Sequence, residues 1–305
     1  LQFQLDTTLS DLNRFPLRLS DLVVLEVDQD APEKVVWSSG AEYRITDLPA
    51  VGFSGDYYHR PAFIHGQWIE FQGCVMFIDP SGKGLDETAY SIVAHLNGNL
   101  FVLEVGSFRE GYTEPVLRGI AEAAKRRKVK LILLEDQFGQ GMMENLLQPY
   151  LREVYPCTIE ATRSNVQKER RIINALEPVM NQHRLIFNRS VIEDDSKARD
   201  DDSVETALAY QLFHQLTHLT VDKQSLQHDD RLDSLAGAVQ YWNESLAIDE
   251  DRAIKEREQE LWELELAAYK GDIEGLLDAQ ILGVPLTQVQ NKNAKSGWIK
   301  THGNH

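Results

Sequence analysis

The chain has 305 residues, 42% of them hydrophobic, and a formal net charge of −17. That length and apolar content allow one large domain or two smaller ones, and no apolar run approaches the ~20 residues that span a bilayer. No membrane partner is therefore expected, and Leu1-Gln2-Phe3-Gln4 lacks the basic start and apolar block of a signal peptide. The cysteines Cys74 and Cys157 show no metal-type spacing, which fits a reducing, cytosolic setting. The net charge argues against nucleic acid, but it is unevenly spread. From Arg118 to Arg171 eleven Lys/Arg stand against seven Asp/Glu. From Glu244 to Asp278 four Lys/Arg stand against twelve Asp/Glu. The middle of the chain is basic and its C-terminal part acidic. The chain starts on Leu, in mid-pattern, and reads as a piece of a longer protein.

Residues 1–35 mix polar and apolar positions and read as short helical or irregular structure. Residues 36–72, rich in Gly, Tyr, Trp and His, read as an extended connector with strand pieces, its aromatics packing a loop onto the next domain. The stretch Val75-Met76-Phe77-Ile78 is a buried strand that runs into Asp79, and Pro80, Ser81, Gly82 and Gly84 stop it. Strands over 89–96 and 100–105 follow, joined by the turn signal Asn97-Gly98-Asn99, so three successive strands predict an antiparallel meander. Thr113 to Lys128 reads as a helix, capped by Thr113 with Pro115 at an early position. Val129 to Leu134 is again a buried strand, ending in Glu135. Helices are predicted for 142–152 and 165–182, with a short strand over 185–187. Glu193 to Asp202 reads as polar and exposed. Val204 to Thr220 reads as one helix with Leu208, Leu212, Leu216 and Leu219 on one side. A helix opening at Asp229 or Asp230 and a long acidic helix over about 245–280 complete the chain, before a polar tail.

Two core strands thus end in acids, Asp79 and Glu135, and a third acidic group opens a helix at Asp229, Asp230 and Asp233. Residues three apart share a helix face, so Asp230 and Asp233 can aim at one point. A strand-end carboxylate costs desolvation unless positive charge offsets it. Carboxylate oxygens suit Mg²⁺ or Mn²⁺, and a pair of such ions ~3.5–4 Å apart activates water and stabilises the leaving oxygen of a phosphodiester. Each acid alone has a plainer reading as a turn, cap or solvating residue. The combined order is far more specific.

The segments Asp79-Pro80-Ser81-Gly82-Lys83-Gly84-Leu85-Asp86-Glu87-Thr88, Leu134-Glu135-Asp136-Gln137-Phe138-Gly139 and His228-Asp229-Asp230-Arg231-Leu232-Asp233-Ser234-Leu235-Ala236 resemble the nuclease domain of tailed-phage terminase large subunits, most closely the podophage type. The resemblance covers roughly 70–245. It implies an α/β, RNase H-like (RuvC-like) mixed sheet flanked by helices, and metal-dependent cutting of concatemeric double-stranded DNA during genome packaging. By motif, Asp79, Glu135 and Asp233 would be catalytic and would hold two Mg²⁺ or Mn²⁺ ions, with Asp230 assisting as a metal ligand. Asp229, Asp136 and Asp86 are lesser candidates, and His228 reads as an exposed residue flanking the helix. The family couples this domain to an N-terminal ATPase, but Gly82-Lys83-Gly84 is not a P-loop and no other match occurs. Residues 1–70 are then a connector from a missing ATPase domain, 71–245 the nuclease, and 246–305 an acidic helix and tail.

DNA contact is assigned to Lys83, Arg126, Arg127, Lys128, Arg163, Lys168, Arg170 and Arg171. Arg118, Lys125 and Lys130 support them in the basic middle, and the plain alternative is a solvated helix face. The implied partners are double-stranded DNA, the terminase small subunit and the portal protein, in the host cytoplasm at the procapsid. A junction resolvase or ribonuclease of the same fold class, and a non-catalytic assembly module, are the competing readings.

Overall fold

In the computed structural model, residues 14–80, 87–135, 141–163, 166–197 and 203–281 are described. The strands are β1 (Val23–Leu25), β2 (Asp30–Val36), β3 (Phe63–Glu70), β4 (Gly73–Asp79), β5 (Thr88–Leu96), β6 (Asn99–Phe108), β7 (Leu131–Glu135), β8 (Thr158–Thr162) and β9 (Leu185–Asn188). The helices are α1 (Glu114–Arg126), α2 (Met142–Val154), α3 (Lys168–Asn181), α4 (Arg189–Lys197), α5 (Val204–Tyr210), α6 (Leu212–His218) and α7 (Asp230–Ile281). Seven strands form one mixed sheet in the order β1-β9-β6-β5-β4-β7-β8, and β2 pairs with β3 in a separate two-stranded ribbon. β4, β5 and β6 are the expected antiparallel meander. β7 and β8 run parallel to β4, and β9 and β1 run parallel to β6.

Alternation along β4 decides what each face does. Met76 and Ile78 join Ile132 and Leu134 in the core built with Val116, Ile120 and Ala124 of α1 and Leu147 and Leu151 of α2. Phe77 and Asp79 point to the opposite face, because successive side chains alternate. The first turns of α7 cover that face. Gly237 lies against the Phe77 ring, Ser234 bonds Ser91 of β5, and the Trp242 indole donates to the Val93 carbonyl. Asn243 ties α7 to the Ala175 carbonyl of α3.

Several expectations are corrected. Val23–Leu25, read as irregular, pairs in parallel with β9 and forms an edge of the main sheet. Residues 30–36, on the boundary of the expected connector, pair with β3. The stretch after Glu193 is not simply exposed, since α4 reaches Lys197 and Asp195 is buried. The single helix expected over 204–220 is broken at Gln211, which is extended with φ −74° and ψ 131°. The Asp195 carboxylate accepts from the Leu212 and Phe213 amides at 2.9 and 3.2 Å and so starts α6 afresh. Leu208 is only half-buried, unlike Leu212, Leu216 and Leu219. The two C-terminal helices are one continuous helix of 52 residues.

The chain divides into two units, Leu1–Ser245 and Leu246–His305. The described part of the second unit is helical and exposes Ile248, Ile254, Leu261, Trp262 and Leu266. Among the described residues no helix is long and apolar enough to cross a membrane.

Candidate metal centre

Strand register brings the first two acids together. β4 and β7 are parallel neighbours with Ile78 opposite Leu134, so Asp79 and Glu135 are the next residues on each strand. Both alternate to the face that α7 covers. The first turn of α7 then supplies Asp233. Ligand oxygens of Asp79, Glu135 and Asp233 lie within 4.8 Å of one another, and all three residues are buried. Three carboxylates this close suit a hard divalent cation. Among the described residues, Glu135 Oε2 is buried with no hydrogen-bond partner, which leaves an oxygen that a cation fits.

Two cations of the chain itself compensate this charge. Lys168 Nζ lies 3.0 Å from Asp233 Oδ2, 2.8 Å from Asp229 Oδ1 and 3.9 Å from Asp79 Oδ2. Arg171 reaches Glu135 at 2.9 Å and Asp233 at 2.6 Å. Both come from the start of α3, three residues apart, and therefore from one helix face. Burial raises the carboxyl of Asp79 well above its ordinary value, Asp233 adds to the rise, and Lys168 opposes it. Burial also raises Asp233, against Lys168 and Arg171. Burial works against the charge of Lys168, but Asp233, Asp79 and Asp229 together hold its ammonium above the usual lysine range.

The remaining expected residues are distributed differently. Asp230 is buried, and its Oδ2 accepts from the Glu87 amide at 3.1 Å; it is not one of the three clustered ligands. Asp229 pairs with Lys168. His228 is buried rather than exposed, stacked on Tyr210 with ring centroids 3.8 Å apart. Lys83, Asp86 and Asp136 lie outside the described residues. Arg126 and Arg127 both bond Glu104, and Arg127 also reaches Asp28. With Lys128 they precede the start of β7, so about 13 Å of strand separates them from Glu135, at ~3.3 Å per residue. Arg163, in contrast, follows Thr162, which pairs with Glu135 across β8 and β7, so it lies at the acidic end of the sheet. Arg170 is exposed on the first turn of α3.

Sequence reading missed the support beneath Asp233. Arg231 is buried beside it, with Nη1 3.0 Å from Asp195 Oδ1, Nη2 2.9 Å from Ser107 Oγ and Nε 3.4 Å from Glu87 Oε2. This network ties the first turn of α7 to α4, to the end of β6 and to the approach to β5. The signal was an arginine between two acids at a helix start, which reads as surface until its distant partners are known.

Residues 78–185 match the family model described as Terminase Bacteriophage T7, Ribonuclease H-like domain. This stretch is a T7-type terminase ribonuclease H-like domain. The chain is 35% identical over 250 residues to the terminase large subunit of Enterobacteria phage T3, an alignment covering 82% of this chain and 43% of that relative. It thus spans less than half the length of the curated relative it matches. Among solved structures, the human cytomegalovirus terminase nuclease domain, soaked with Mn, aligns at 11% identity and TM-score 0.40, covering 58% of this chain and 86% of that one. The large terminase nuclease of thermophilic phage G20c aligns at 11% identity and TM-score 0.39, covering 74% and 97%. The chain places its three clustered acids on two neighbouring core strands and a helix start, all on one face of its sheet.

Proposed function

We propose that this domain is the metal-dependent endonuclease of a phage DNA-packaging terminase large subunit. The observation that carries the reading is the buried triad Asp79, Glu135 and Asp233, with ligand oxygens within 4.8 Å of one another. Bound Mg²⁺ or Mn²⁺ ions supply an activated water and stabilise the leaving oxygen of a phosphodiester. The triad holds them, and Asp230 fixes the Glu87 amide beside the site. Lys168 and Arg171 compensate the acids, so the site folds without self-repulsion. Arg163 and Arg170 engage phosphates at the same end of the sheet. The nuclease occupies 71–245 together with β1, and 246–305 is an acidic helix and tail. The biological substrate is concatemeric double-stranded viral DNA in the host cytoplasm at the procapsid. The small subunit and the portal protein are the partners.

The test is plasmid cleavage in EDTA, Mg²⁺ or Mn²⁺ by the unmodified chain, Asp79→Ala and Asp233→Ala. Cleavage that needs metal and is lost in both folded variants is expected. Cleavage that survives both substitutions would refute the assignment. A strong preference for four-way junctions over linear duplex would move the substrate to the resolvase class.

A further inference from the structure

We infer a second nucleic-acid contact, a phosphate-binding cleft at the far side of the same sheet end, formed by Arg44 and Arg60. The inference rests on the nuclease reading and extends it to how a duplex is held. The cleft measures about 850 Å³ and is lined by the end of β1, by residues 44–47 and 60–64, and by Arg189.

Sheet topology fixes where the cleft lies. β1, β9, β6 and β4 all run in one direction, since β1 and β9 are parallel, β9 and β6 are parallel, and β5 is antiparallel to both β6 and β4. The C-terminal ends of β1 and β9, where Leu25, Glu26 and Arg189 line the cleft, therefore lie at the same end of the sheet as Asp79. His59 bridges Val23 in parallel, which sends Arg60 toward that same end. β1 is four strands from β4, about 19 Å at ~4.8 Å per strand. A duplex rising ~3.4 Å per base pair crosses that distance in about six base pairs. Arg163 lies on the other side of the triad, beyond β8.

The charges in the cleft are arranged for an anion. Arg189 is committed to Asp47 at 2.7 Å and Glu193 at 2.8 Å, one guanidinium against two carboxylates, so it adds no positive charge to the cleft. Arg60 donates to the Glu42 carbonyl at 2.8 Å, and Arg44 lies over the Tyr57 ring at 5.5 Å. Both guanidinium side chains belong to exposed residues, and among the described residues neither pairs with a carboxylate. Of the two lining carboxylates, Asp47 is taken by Arg189, leaving Glu26 against two arginines. Exposed Phe63 and Ile64 give the cleft an apolar edge on which a sugar can rest. A polyanion approaching a chain of net charge −17 needs such local positive points.

The experiment is binding of a labelled 24-base-pair duplex, read by fluorescence anisotropy in EDTA across a salt series. The unmodified chain is compared with Arg44→Ala/Arg60→Ala, with Arg44→Lys/Arg60→Lys, and with Arg152→Ala, an exposed arginine in the last turn of α2, as a surface control. The Ala pair is expected to weaken binding several-fold and to lower the slope of log affinity against log salt by about 1.8, the value for two phosphate contacts. The Lys pair should keep most of the slope, and Arg152→Ala should match the unmodified chain. An unchanged slope and affinity in the Ala pair would overturn the cleft while leaving metal-dependent cleavage in place. Duplex binding with the expected slope change but no metal-dependent cleavage would instead sink the nuclease reading and leave the cleft standing. No duplex binding by the unmodified chain would sink both.

Discussion

Gly237→Ala tests whether the spacing between α7 and β4 sets the geometry of the acids. An added Cβ would meet Phe77 Cε2 and Cζ at 2.5 Å, whereas ordinary contact begins near 3.4 Å. Something must give by roughly 1 Å in a close-packed interior. Phe77 is 4% exposed on a central strand, so α7 is the element expected to move. Asp233 lies one turn earlier on the same helix, and Asp79 lies two residues beyond Phe77 on the same face. The overpacking should cost about 2 kcal/mol, which lowers the melting temperature by roughly 4–8 °C for a domain of this size. A ~1 Å displacement of a ligand should lower cleavage about 100-fold. The assay pairs thermal denaturation with plasmid cleavage, and adds Phe77→Leu/Gly237→Ala, which makes room for the methyl group. The double variant should regain part of both losses. A Gly237→Ala protein with unchanged melting and cleavage would refute the close approach.

Asp195→Ala should destabilise the domain by about 3–5 kcal/mol, because it leaves Arg231 buried with one partner fewer and uncaps α6, and urea denaturation would show it. Asp79→Asn should stabilise the metal-free domain at pH 7.5. The Asp79 carboxyl is raised in the folded state, so its contribution is present at low pH and lost as pH rises through the folded value. The advantage of the variant should therefore vanish toward pH 4, and an advantage independent of pH would contradict this. Lys168→Ala should tighten Mn²⁺ binding measured by calorimetry, since the cation no longer competes with the lysine for Asp79 and Asp233. Weaker Mn²⁺ binding would make Lys168 a support of the metal rather than its competitor. Arg126→Ala should leave duplex affinity unchanged, because its guanidinium is held by Glu104 at the sheet end away from the triad.

Asp79 and Glu135 were legible because each terminates an apolar strand, a pattern local in sequence. Asp233 was legible from its helix start and from the three-motif order. What pairs with them was not. Lys168 and Arg171 read as phosphate contacts, because a basic helix start looks the same whether it meets DNA or three acids of its own chain. The Asp195–Arg231 pair spans 36 residues, and the carboxylate that breaks the helix at Gln211 comes from a stretch that composition marks as surface. β1 escaped notice because three residues carry too little periodicity, and its partner strand lies far along the chain. Long-range pairing decided each of these cases.

The most direct measurement is anomalous diffraction from crystals of the domain soaked in Mn²⁺. Manganese peaks within ligating distance of Asp79, Glu135 and Asp233 are expected, with Lys168 Nζ withdrawn from Asp79 and Asp233. Ordered crystals that take up Mn²⁺ elsewhere, leaving the three carboxylates paired with Lys168 and Arg171, would contradict the account.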